Sequence, residues 1–350
     1  MSRTALVTGG AGFIGRALVA QLAADWTVVV YDAMTYAAHP GALAVLAARL
    51  GVEVVEGDVA DPVAFDRALA THTPDVVLHL AAESHVDRSL EDPGPFLHTN
   101  IRGTWNVARA CLARQIRLVH VSTDEVYGDR DGAPAALEGD PCAPTNPYSV
   151  SKAAGDQLVL SLVRSHDLDA VVTRGVNTYG PGQFPEKLLP RAARCWRTGK
   201  PMGVYGDGQQ VREWLYVDDH ARGIAAAIGA PRGSVLHFGG ASCTNRTILA
   251  RWADALDVDA RLASIPDRPG HDRRYALDDT ATRARLAWAP RVTLHDGLAR
   301  TAAWSLERPT FWDDALARAD VQGFFVRRYG DGAATHDPAA TLPLAPVVGD

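Results

Sequence analysis

Two short polar segments carry the side chains of this sequence that are most capable of chemistry. Ser122-Thr123-Asp124-Glu125 stands at the end of an apolar run, and a second segment extends from Tyr148 to Lys152. Because a helix places residues four positions apart on one face, Tyr148 and Lys152 can meet there, and the ammonium can lower the pKa of the phenol. One small substrate could thus meet a hydroxyl, two carboxyl groups, a phenol and an amine. Such a set suits a reaction that moves a hydride and shifts protons in opposite directions.

Each half of this set also permits a structural explanation. A tyrosine and a lysine at this spacing occur on many surface helices, and acidic residues after a strand often cap the next helix or bind an arginine. The glycine-rich segment near the amino terminus favours the catalytic interpretation, because it predicts a redox cofactor nearby.

That segment, Thr8 to Gly15, follows the first predicted strand and opens an amphipathic helix. Its glycines allow a tight turn, a close approach of the backbone to a pyrophosphate, and tight packing of helix on strand. Asp32 ends the second strand, where a carboxylate accepts hydrogen bonds from the adenine ribose and repels a 2′-phosphate, so the sequence predicts NAD rather than NADP. Asp58 follows the third strand, within reach of the adenine amine. An ordinary strand-to-helix turn with capping acids is the alternative.

The elements that position these residues are predicted by the alternation of apolar strands and helical segments from Thr4 to about Arg174. This pattern indicates an α/β Rossmann fold, a doubly wound parallel sheet whose ligands lie at the carboxyl ends of the strands. Valine-rich runs such as Thr27–Val30 are typical of strands covered by helices on both faces. The predicted strands are Ala5–Thr8, Thr27–Tyr31, Glu53–Glu56, Val76–Ala81, Leu118–Ser122 and Ala170–Arg174.

Beyond Asn177 the pattern becomes rich in turns and predicts a smaller, mixed α/β substrate-binding lobe. We therefore expect an NAD-binding domain over 1–176, and a lobe over 177–330 from which some segments return to the first domain. The Ala-, Pro- and Gly-rich residues 331–350 are expected to form a flexible tail.

Composition excludes several classes of partner. A formal net charge of -6 gives no general attraction to nucleic acid or to an anionic membrane, so we expect neither. No apolar run approaches the roughly 18 residues of a spanning helix, and the amino terminus enters a strand without a leader segment. The four cysteines lack metal-ligand spacing, so we expect reduced thiols, no bound metal and a cytoplasmic location.

A series of blocks extends this pattern along the chain up to about Leu286. The blocks are Ala81–Ser89, Ser122–Gly128, Asn146–Lys152, Asn177–Pro181 with Pro185–Pro190, Gln210–His220 and Arg268–Tyr275. In this order they resemble the motifs of the dTDP-glucose 4,6-dehydratases, a branch of the extended short-chain dehydrogenase/reductase family. The resemblance implies oxidation of a nucleotide-linked hexose at C4, loss of water across C5 and C6, and return of the hydride to C6.

The resemblance also implies a division of roles. Thr123 and Tyr148 engage the glucosyl 4-hydroxyl, and Lys152 orients Tyr148 and the nicotinamide ribose. Oxidation at C4 makes the C5 proton acidic, so Glu125 can remove it while a protonated Asp124 donates to the departing C6 hydroxyl. The expected cofactor contacts are Gly9, Gly12, Phe13, Ile14, Gly15, Asp32, Asp58, Val59, Leu80, Ala81, Ala82, Tyr148 and Lys152. The expected substrate contacts are Ser84, His85, Asn177, Lys187, Arg212, Arg273 and Tyr275.

Among these, the blocks that contain Lys187, Arg212, Arg273 and Tyr275 resemble a nucleotide-binding lobe, where cations would neutralise a diphosphate. His85 and Glu83 have two interpretations, as the border of the sugar pocket or as a buried hydrogen-bonded pair that supports its loop.

Three departures leave the nucleotide open between dTDP and the UDP, CDP and GDP alternatives. Thr178 stands where the family pattern has a second Asn, and Gly239–Asn245 is shorter than the family segment and lacks its Asn and Glu. Arg16 replaces a small residue beside the glycine turn, where it can strengthen cofactor retention or extend into solvent.

Two other functions remain in competition. Another C4-oxidising enzyme, an NDP-uronate decarboxylase or a 4-epimerase, would share the cofactor site and Tyr148, but neither reaction expels a C6 hydroxyl, which argues against both. A protein that keeps NAD as a structural ligand without catalysis is the second alternative.

Asn100–Leu112 places Ile101, Trp105, Ala108 and Leu112 on one helical face, and the segment after Tyr148 is also amphipathic. The resemblance implies that these two helices pair across a two-fold axis in a homodimer. The alternative is that both faces merely cover the sheet.

Overall fold

The computed structural model describes residues 3–329 and 341–342. The strands run in chain order as β1 Thr4–Thr8, β2 Thr27–Asp32, β3 Glu53–Glu56, β4 Val76–His79, β5 Arg117–Thr123, β6 Ala170–Gly175, β7 Asn177–Tyr179, β8 Met202–Tyr205, β9 Val211–Tyr216, β10 Val235–Phe238, β11 Ala241–Thr244, β12 Leu262–Ile265 and β13 Thr341–Leu342.

The helices are α1 Phe13–Leu22, α2 Pro40–Leu50, α3 Pro62–His72, α4 Val86–Glu91, α5 Gly94–Phe96, α6 Thr104–Arg114, α7 Pro147–His166, α8 Leu188–Arg197, α9 Val217–Ala226, α10 Asn245–Leu256, α11 Thr280–Leu286, α12 Leu294–Glu307, α13 Asp313–Ala317 and α14 Ala319–Tyr329. A π-helical segment, Leu97–Gly103, leads into α6, and short 3₁₀ turns cover Asp124–Tyr127 and Ala227–Gly229. No helix of the described residues is long and apolar enough to cross a membrane.

Seven parallel strands form the large sheet in the order β10-β6-β5-β4-β1-β2-β3, which confirms the predicted doubly wound fold. All six predicted strands are present, although β4 ends at His79 rather than at Ala81, because the chain turns toward α4 there. The seventh strand, β10, was not predicted. It pairs with β6 from beyond Asn177, so the chain returns to the large sheet late. The division into domains 1–176 and 177–330 stays a prediction.

Helices cover both faces of this sheet, and successive strand residues therefore enter two separate cores. Val7 and Val30 pack with α1, α2 and α9 on one face, whereas Leu6 and Val29 pack with α3, α6 and α7 on the other. This double burial explains why the strands consist of nearly continuous apolar residues.

Two small sheets, β11-β9-β7 and β13-β12-β8, lie beside the large one. A third core around Tyr179, Trp214 and Trp252 joins them to α8, α10 and α12. Of the predicted tail, only Thr341–Leu342 belong to the described residues, and they pair antiparallel with β12. The rest of 331–350 lies outside the described residues.

The helix that carries Tyr148 begins at a well-defined cap. The Asn146 side chain accepts a hydrogen bond from Ser149 N, the Ser149 side chain accepts one from Asn146 N, and Pro147 occupies the first turn. A capping box of this kind fixes the start of a helix. It therefore sets Tyr148 at the second position of α7, facing the carboxyl end of β5.

The face predicted for a subunit contact is divided. Ala108 is fully buried in the core beneath the sheet, and Leu112 packs against the same core, whereas the Trp105 side chain is 40% exposed. Part of α6 thus covers the sheet, as the alternative interpretation held, and Trp105 faces outward.

Candidate active site

One long cavity runs along the carboxyl ends of the central strands and brings together most of the predicted site residues. Those that line it are Gly9, Gly12, Phe13, Ile14, Gly15, Asp32, Asp58, Val59, Leu80, Ala81, Ala82, Ser84, His85, Thr123, Glu125, Tyr148, Lys152, Asn177, Lys187, Arg212 and Tyr275. Asp124 is buried directly behind this wall, next to Glu125. Arg273 does not line the cavity.

The glycine loop forms a cradle that side chains would fill. Gly9 has a φ of +72°, and a Cβ there would lie 2.6 Å from Ala81 N. A Cβ on Gly15 would lie 2.2 Å from the Gly9 carbonyl oxygen. The loop leads into the amino terminus of α1, whose free N–H groups and dipole attract an anion. These residues fit the pyrophosphate of a dinucleotide.

Asp32 is buried at the end of β2 and holds the loop. Its carboxylate accepts hydrogen bonds from Ala11 N at 2.9 Å and from Met34 N at 2.8 Å. Burial raises the pKa of Asp32, and these backbone donors oppose the rise. Asp58 also lines the cavity, and its carboxylate has two hydrogen-bond donors, Ala60 N at 2.8 Å and His98 Nε2 at 3.1 Å.

The acidic pair occupies the 3₁₀ turn that follows β5. Thr123 Oγ1 donates to Asp124 Oδ1 at 3.1 Å, and Glu125 N donates to Thr123 Oγ1 at 3.3 Å. Burial, reinforced by the carboxylates of Glu125 and Glu213, raises the pKa of Asp124 well above its usual range. The protonated form of Asp124, which an acid requires, is therefore favoured.

Tyr148 and Lys152 lie on one face of α7, but burial dominates the pKa of the phenol. Lys152 Nζ donates to the Val121 carbonyl oxygen at 2.8 Å. Burial and the nearby Glu125 carboxylate raise the pKa of Tyr148, against a hydrogen bond with Thr123. The net shift is therefore opposite to the one expected from the spacing of Tyr148 and Lys152, because desolvation of the buried phenol is the largest cause.

Glu125 has a partner from the smaller lobe. Tyr275 OH donates to Asp272 Oδ2 at 2.6 Å and lies 3.4 Å from Glu125 Oε2. The guanidinium of Arg212 stacks 4.1 Å from the centre of the Tyr275 ring and donates to the Asp272 carbonyl oxygen. The segment 272–275 thus lies between Glu125 and the guanidinium of Arg212 and contacts both.

Further cations follow in the same wall. Lys187 Nζ donates to the Ser84 carbonyl oxygen at 2.7 Å, and Arg191 and Arg268 also line the cavity. These two arginines were not among the predicted contacts. Arg268 belongs to the block Arg268–Tyr275, but Arg191 lies in the arginine-rich helix α8, where nothing in the sequence distinguishes it from its exposed neighbours.

The predicted contact of Arg273 is corrected by the structure. Its side chain is 43% exposed and forms a bidentate ion pair with Asp207, at 2.9 and 3.1 Å. Arg273 and Arg268 both follow β12, and the turn between them directs only Arg268 toward the cavity.

The three departures in the sequence also have structural explanations. Thr178 Oγ1 lies 2.7 Å from His220 Nδ1 and donates to the Val176 carbonyl oxygen, so its hydroxyl serves the wall of the cavity. Asn245, at the end of the shortened segment, lines the cavity and supplies an amide there.

Arg16 does not extend into solvent. It donates to the Ala11 carbonyl oxygen at 2.6 Å and to the Gly182 carbonyl oxygen at 3.0 Å, beneath Phe311 and Trp312. It thus ties the glycine loop to two distant segments.

Glu83 and His85 both line the cavity, but each has another partner. Burial raises the pKa of Glu83, which shares a hydrogen bond with Tyr36. His85 Nε2 lies 3.7 Å from a carboxylate oxygen of Glu186, which also binds Arg88. The loop is therefore supported by a network of several side chains.

Comparisons with known proteins agree with this geometry. Residues 5–237 match the model of the NAD dependent epimerase/dehydratase family. The chain is 43% identical to a dTDP-glucose 4,6-dehydratase of an Actinoplanes species, over 88% of this chain and 99% of the relative. It is 44% identical to the enzyme of the same name from Streptomyces griseus, over 89% and 97% of the two chains.

Solved structures of NAD-binding enzymes are also similar to this chain. A crystal structure of the dTDP-glucose 4,6-dehydratase DesIV from Streptomyces venezuelae with NAD bound superposes with a TM-score of 0.85 at 40% identity, covering 89% of this chain and 99% of that one. A UDP-glucose 4-epimerase from Thermus thermophilus in complex with NAD is more distant, with a TM-score of 0.79 at 31% identity over 86% and 98% of the chains.

Proposed function

The chain belongs to the NAD dependent epimerase/dehydratase family, and within it we propose that this protein is a nucleotide-sugar 4,6-dehydratase, a hydro-lyase that converts dTDP-glucose to dTDP-4-keto-6-deoxyglucose. The observation that carries the proposal is the acidic pair beside Thr123. Burial raises the pKa of Asp124, which suits it to act as an acid, and the adjacent Glu125 faces the cavity, where it can act as a base.

NAD, when bound, would supply the hydride acceptor for oxidation at C4 and the hydride donor for reduction at C6. The glycine loop from Gly9 to Gly15 would hold its pyrophosphate, Asp32 its adenine ribose and Lys152 its nicotinamide ribose. The Lys152 ammonium donates one of its three N–H groups to the Val121 carbonyl oxygen, so two donors remain for Tyr148 and a ribose hydroxyl. A hydrogen bond from Lys152 to the phenol oxygen would lower the pKa of Tyr148, which burial raises.

The sugar would lie between α7 and the end of β5. Tyr148, aided by Thr123, takes the proton of the 4-hydroxyl as C4 is oxidised. Glu125 then removes the C5 proton, which the new ketone acidifies, and Asp124 donates its proton to the C6 hydroxyl, which leaves as water. A proton then returns to C5, and the product differs from the substrate by the loss of one water, with the oxidation at C4 balanced by a reduction at C6.

Lys187, Arg191, Arg212 and Arg268 line the cavity beyond the acidic pair, where their charges suit a diphosphate that the acidic protein as a whole repels. The relatives named dTDP-glucose 4,6-dehydratase match almost their full length, which supports dTDP as the nucleotide. The epimerase alternative has weaker support, since the epimerase from Thermus thermophilus is less similar and epimerisation at C4 gives Asp124 and Glu125 no task.

The test is turnover of a panel of nucleotide sugars by the purified holoenzyme: dTDP-glucose, UDP-glucose, CDP-glucose and GDP-mannose. We expect a 4-keto-6-deoxy product from dTDP-glucose, with deuterium from C4 recovered at C6. A Tyr148→Phe variant serves as the inactive control. A C4 epimer as the sole product would establish the rival reaction, and the absence of any dehydrated product would remove the proposal.

We further propose that the protein is a homodimer. Leu97, Trp105 and Val150 are 49%, 40% and 45% exposed on the π-helical segment, α6 and α7, and α6 packs directly on α7. Large apolar side chains gathered on adjacent helices are typical of a subunit interface. Sedimentation of the wild type and of Trp105→Lys tests it: a dimer that the substitution dissociates is expected, and a wild-type monomer would contradict it.

We also propose a cytoplasmic location, supported by four free cysteines, of which Cys111 is buried. Fractionation of the source cells, with the protein found outside the cytoplasmic fraction, would contradict it.

A further inference from the structure

Asp87 lies in the wall of the cavity, and three separate segments meet on its carboxylate. It belongs to α4, which follows β4 of the large sheet, and it is 3% exposed. Its Oδ2 accepts hydrogen bonds from Tyr205 OH and from Tyr329 OH, both at 2.9 Å. Two donors from distant parts of the chain thus converge on one oxygen atom.

The other carboxylate oxygen binds two guanidinium groups. Arg328 Nη2 lies 3.2 Å from Oδ1, and Arg268 Nη1 lies 3.5 Å from it. Arg328 also donates to Tyr205 OH through Nε at 3.1 Å, so the Tyr205 hydroxyl accepts from one partner and donates to Asp87. The phenol is therefore held in one orientation.

These partners come from elements outside the large sheet, whereas α4 follows a strand of that sheet. Tyr205 ends β8, Arg268 follows β12, and Arg328 and Tyr329 end α14. The helix α14 is itself anchored, because Val321 and Phe324 are fully buried and Phe324 stacks on the Arg88 guanidinium at 4.1 Å. Asp87 is consequently one of the points where α14 joins the rest of the site.

The same side chains form part of the cavity wall. Asp87, Tyr205, Arg268 and Tyr329 all line it, as does Arg191, whose guanidinium lies 4.2 Å from the centre of the Tyr329 ring. Aromatic rings offer faces for a nucleobase, and the guanidinium groups offer donors for a phosphate. The arrangement suits the nucleoside diphosphate half of a substrate whose sugar reaches Thr123.

The charge of Asp87 is well supported. Burial opposes ionisation of this carboxylate, but the neighbouring His85, Arg268 and Arg328 outweigh burial and hold its pKa well below the usual range. The carboxylate is thus ionised throughout the pH range in which the protein would work. It can orient its donors without changing its own charge.

We propose that Asp87 is a positioning residue of the nucleotide subsite, and that through it the helix α14 forms the outer wall around the nucleoside diphosphate. This inference rests on the proposed function, since it takes the substrate to be a nucleotide sugar. Asp87 acts through Tyr205, Arg268 and Tyr329, whereas the acidic pair and α7 carry the chemistry. Loss of its charge should therefore weaken nucleotide binding more than it slows the reaction.

The experiment compares Asp87→Asn with the wild type as holoenzymes. Calorimetric titration with dTDP, UDP, CDP and GDP gives the dissociation constant without turnover, and steady-state rates with dTDP-glucose give KM and kcat separately. We expect Asp87→Asn to raise the dissociation constant of the preferred nucleotide and KM by roughly tenfold, the size of effect that lost hydrogen bonds to a charged group produce. The value of kcat should change less than about threefold, and the NAD content should not change.

The matched control is Asp219→Asn. Asp219 is also buried, accepts hydrogen bonds from Arg291 N and Val292 N, and is not part of the cavity wall. This variant should lose thermal stability but keep the wild-type dissociation constant. If Asp87→Asn does not fold, Tyr329→Phe removes one hydroxyl from the same carboxylate, and a severalfold weaker binding of the nucleotide is then expected.

The outcomes separate this inference from the proposed function. A wild type that binds a nucleoside diphosphate but does not dehydrate dTDP-glucose removes the proposed function, while weaker binding by Asp87→Asn still supports the subsite. If Asp87→Asn binds the nucleotide with wild-type affinity, the proposed role of Asp87 in the subsite is wrong. Where Asp87→Asn does not fold, wild-type affinity in Tyr329→Phe has the same meaning. A wild type that binds none of the four nucleotides also refutes the subsite.

Discussion

Replacement of Asp156 by Asn should make the protein lose activity at a lower pH, because this carboxylate supports the charge of Lys152. Asp156 is fully buried on α7, one turn beyond Lys152. Burial lowers the pKa of Lys152 to about 8, and Asp156 opposes that fall. The ammonium that should orient Tyr148 and the ribose is therefore lost as the pH rises through about 8, and without Asp156 it should be lost earlier.

The magnitude follows from the distance between the two charges. Side chains one helical turn apart lie about 6 Å from each other, and at an effective dielectric constant of about 20 unit charges at that distance interact by about 3 kcal/mol. This energy corresponds to about two pH units. Arg174 Nε donates to Asp156 Oδ2 at 2.9 Å and neutralises part of the charge. We therefore expect the alkaline limb of the rate profile to move down by about one pH unit.

Stability should fall as well, since Arg174 is 2% exposed and would remain charged without its partner. Breaking a buried ion pair from one side costs about 3–5 kcal/mol. Thermal unfolding of the holoprotein measures this loss, and the dependence of kcat on pH measures the effect on Lys152. The two readouts separate a damaged fold from a displaced charge.

Tyr127→Phe is the matched control, because it removes a hydroxyl that accepts a hydrogen bond from Arg174 and leaves Asp156 in place. It should reduce stability and leave the alkaline limb where it is in the wild type. If the alkaline limb of a folded, NAD-containing Asp156→Asn protein coincides with that of the wild type, Asp156 does not support the charge of Lys152, and the reasoning is refuted.

Three further substitutions test other parts of the site. Glu125→Gln should still oxidise C4, seen as a lasting absorbance of reduced nicotinamide, but should lose exchange of the C5 proton with solvent; retained exchange would assign the base elsewhere. Asp124→Asn should keep that exchange and slow the loss of water by about 10²–10⁴-fold, because an amide cannot supply the proton. Burial is the main cause of the raised pKa of Asp124. The wild type should therefore lose its acid only as the pH rises through that raised pKa. Arg16→Ala should lower the NAD content after gel filtration, because Arg16 holds the Ala11 carbonyl oxygen of the glycine loop, whereas Arg49→Ala at the end of α2 should not; equal NAD contents in the two variants would contradict a role in retention.

The features that could be predicted from the sequence are those encoded within a few neighbouring residues. Continuous apolar runs such as Thr27–Val30 indicated parallel strands covered on both faces, and the seven-stranded sheet confirms this. The glycine loop followed a strand and preceded a helix, as a dinucleotide site requires. The spacing of Tyr148 and Lys152 needs only a helix, and the cap at Asn146 supplies its start.

Features that depend on distant segments were missed or predicted wrongly. Strand β10 is only four residues long and gains its place by pairing with β6, which no local pattern reveals. Arg268 and Arg273 look alike in the sequence, yet one lines the cavity and the other pairs with Asp207 on the surface. The sign of the shift at Tyr148 was also wrong, because the spacing of Lys152 says nothing about burial.

The sequence by itself therefore determined the class of fold, the cofactor loop and the identity of the groups that can exchange protons, because each rests on residue type and local period. Tertiary structure alone decided the electrostatics: it buried Asp124 beside Glu125, turned Lys152 toward the Val121 carbonyl oxygen, and gathered Tyr205, Arg268 and Tyr329 around Asp87. The physical reason is that a pKa and a binding surface depend on desolvation and on charges brought together from remote parts of the chain.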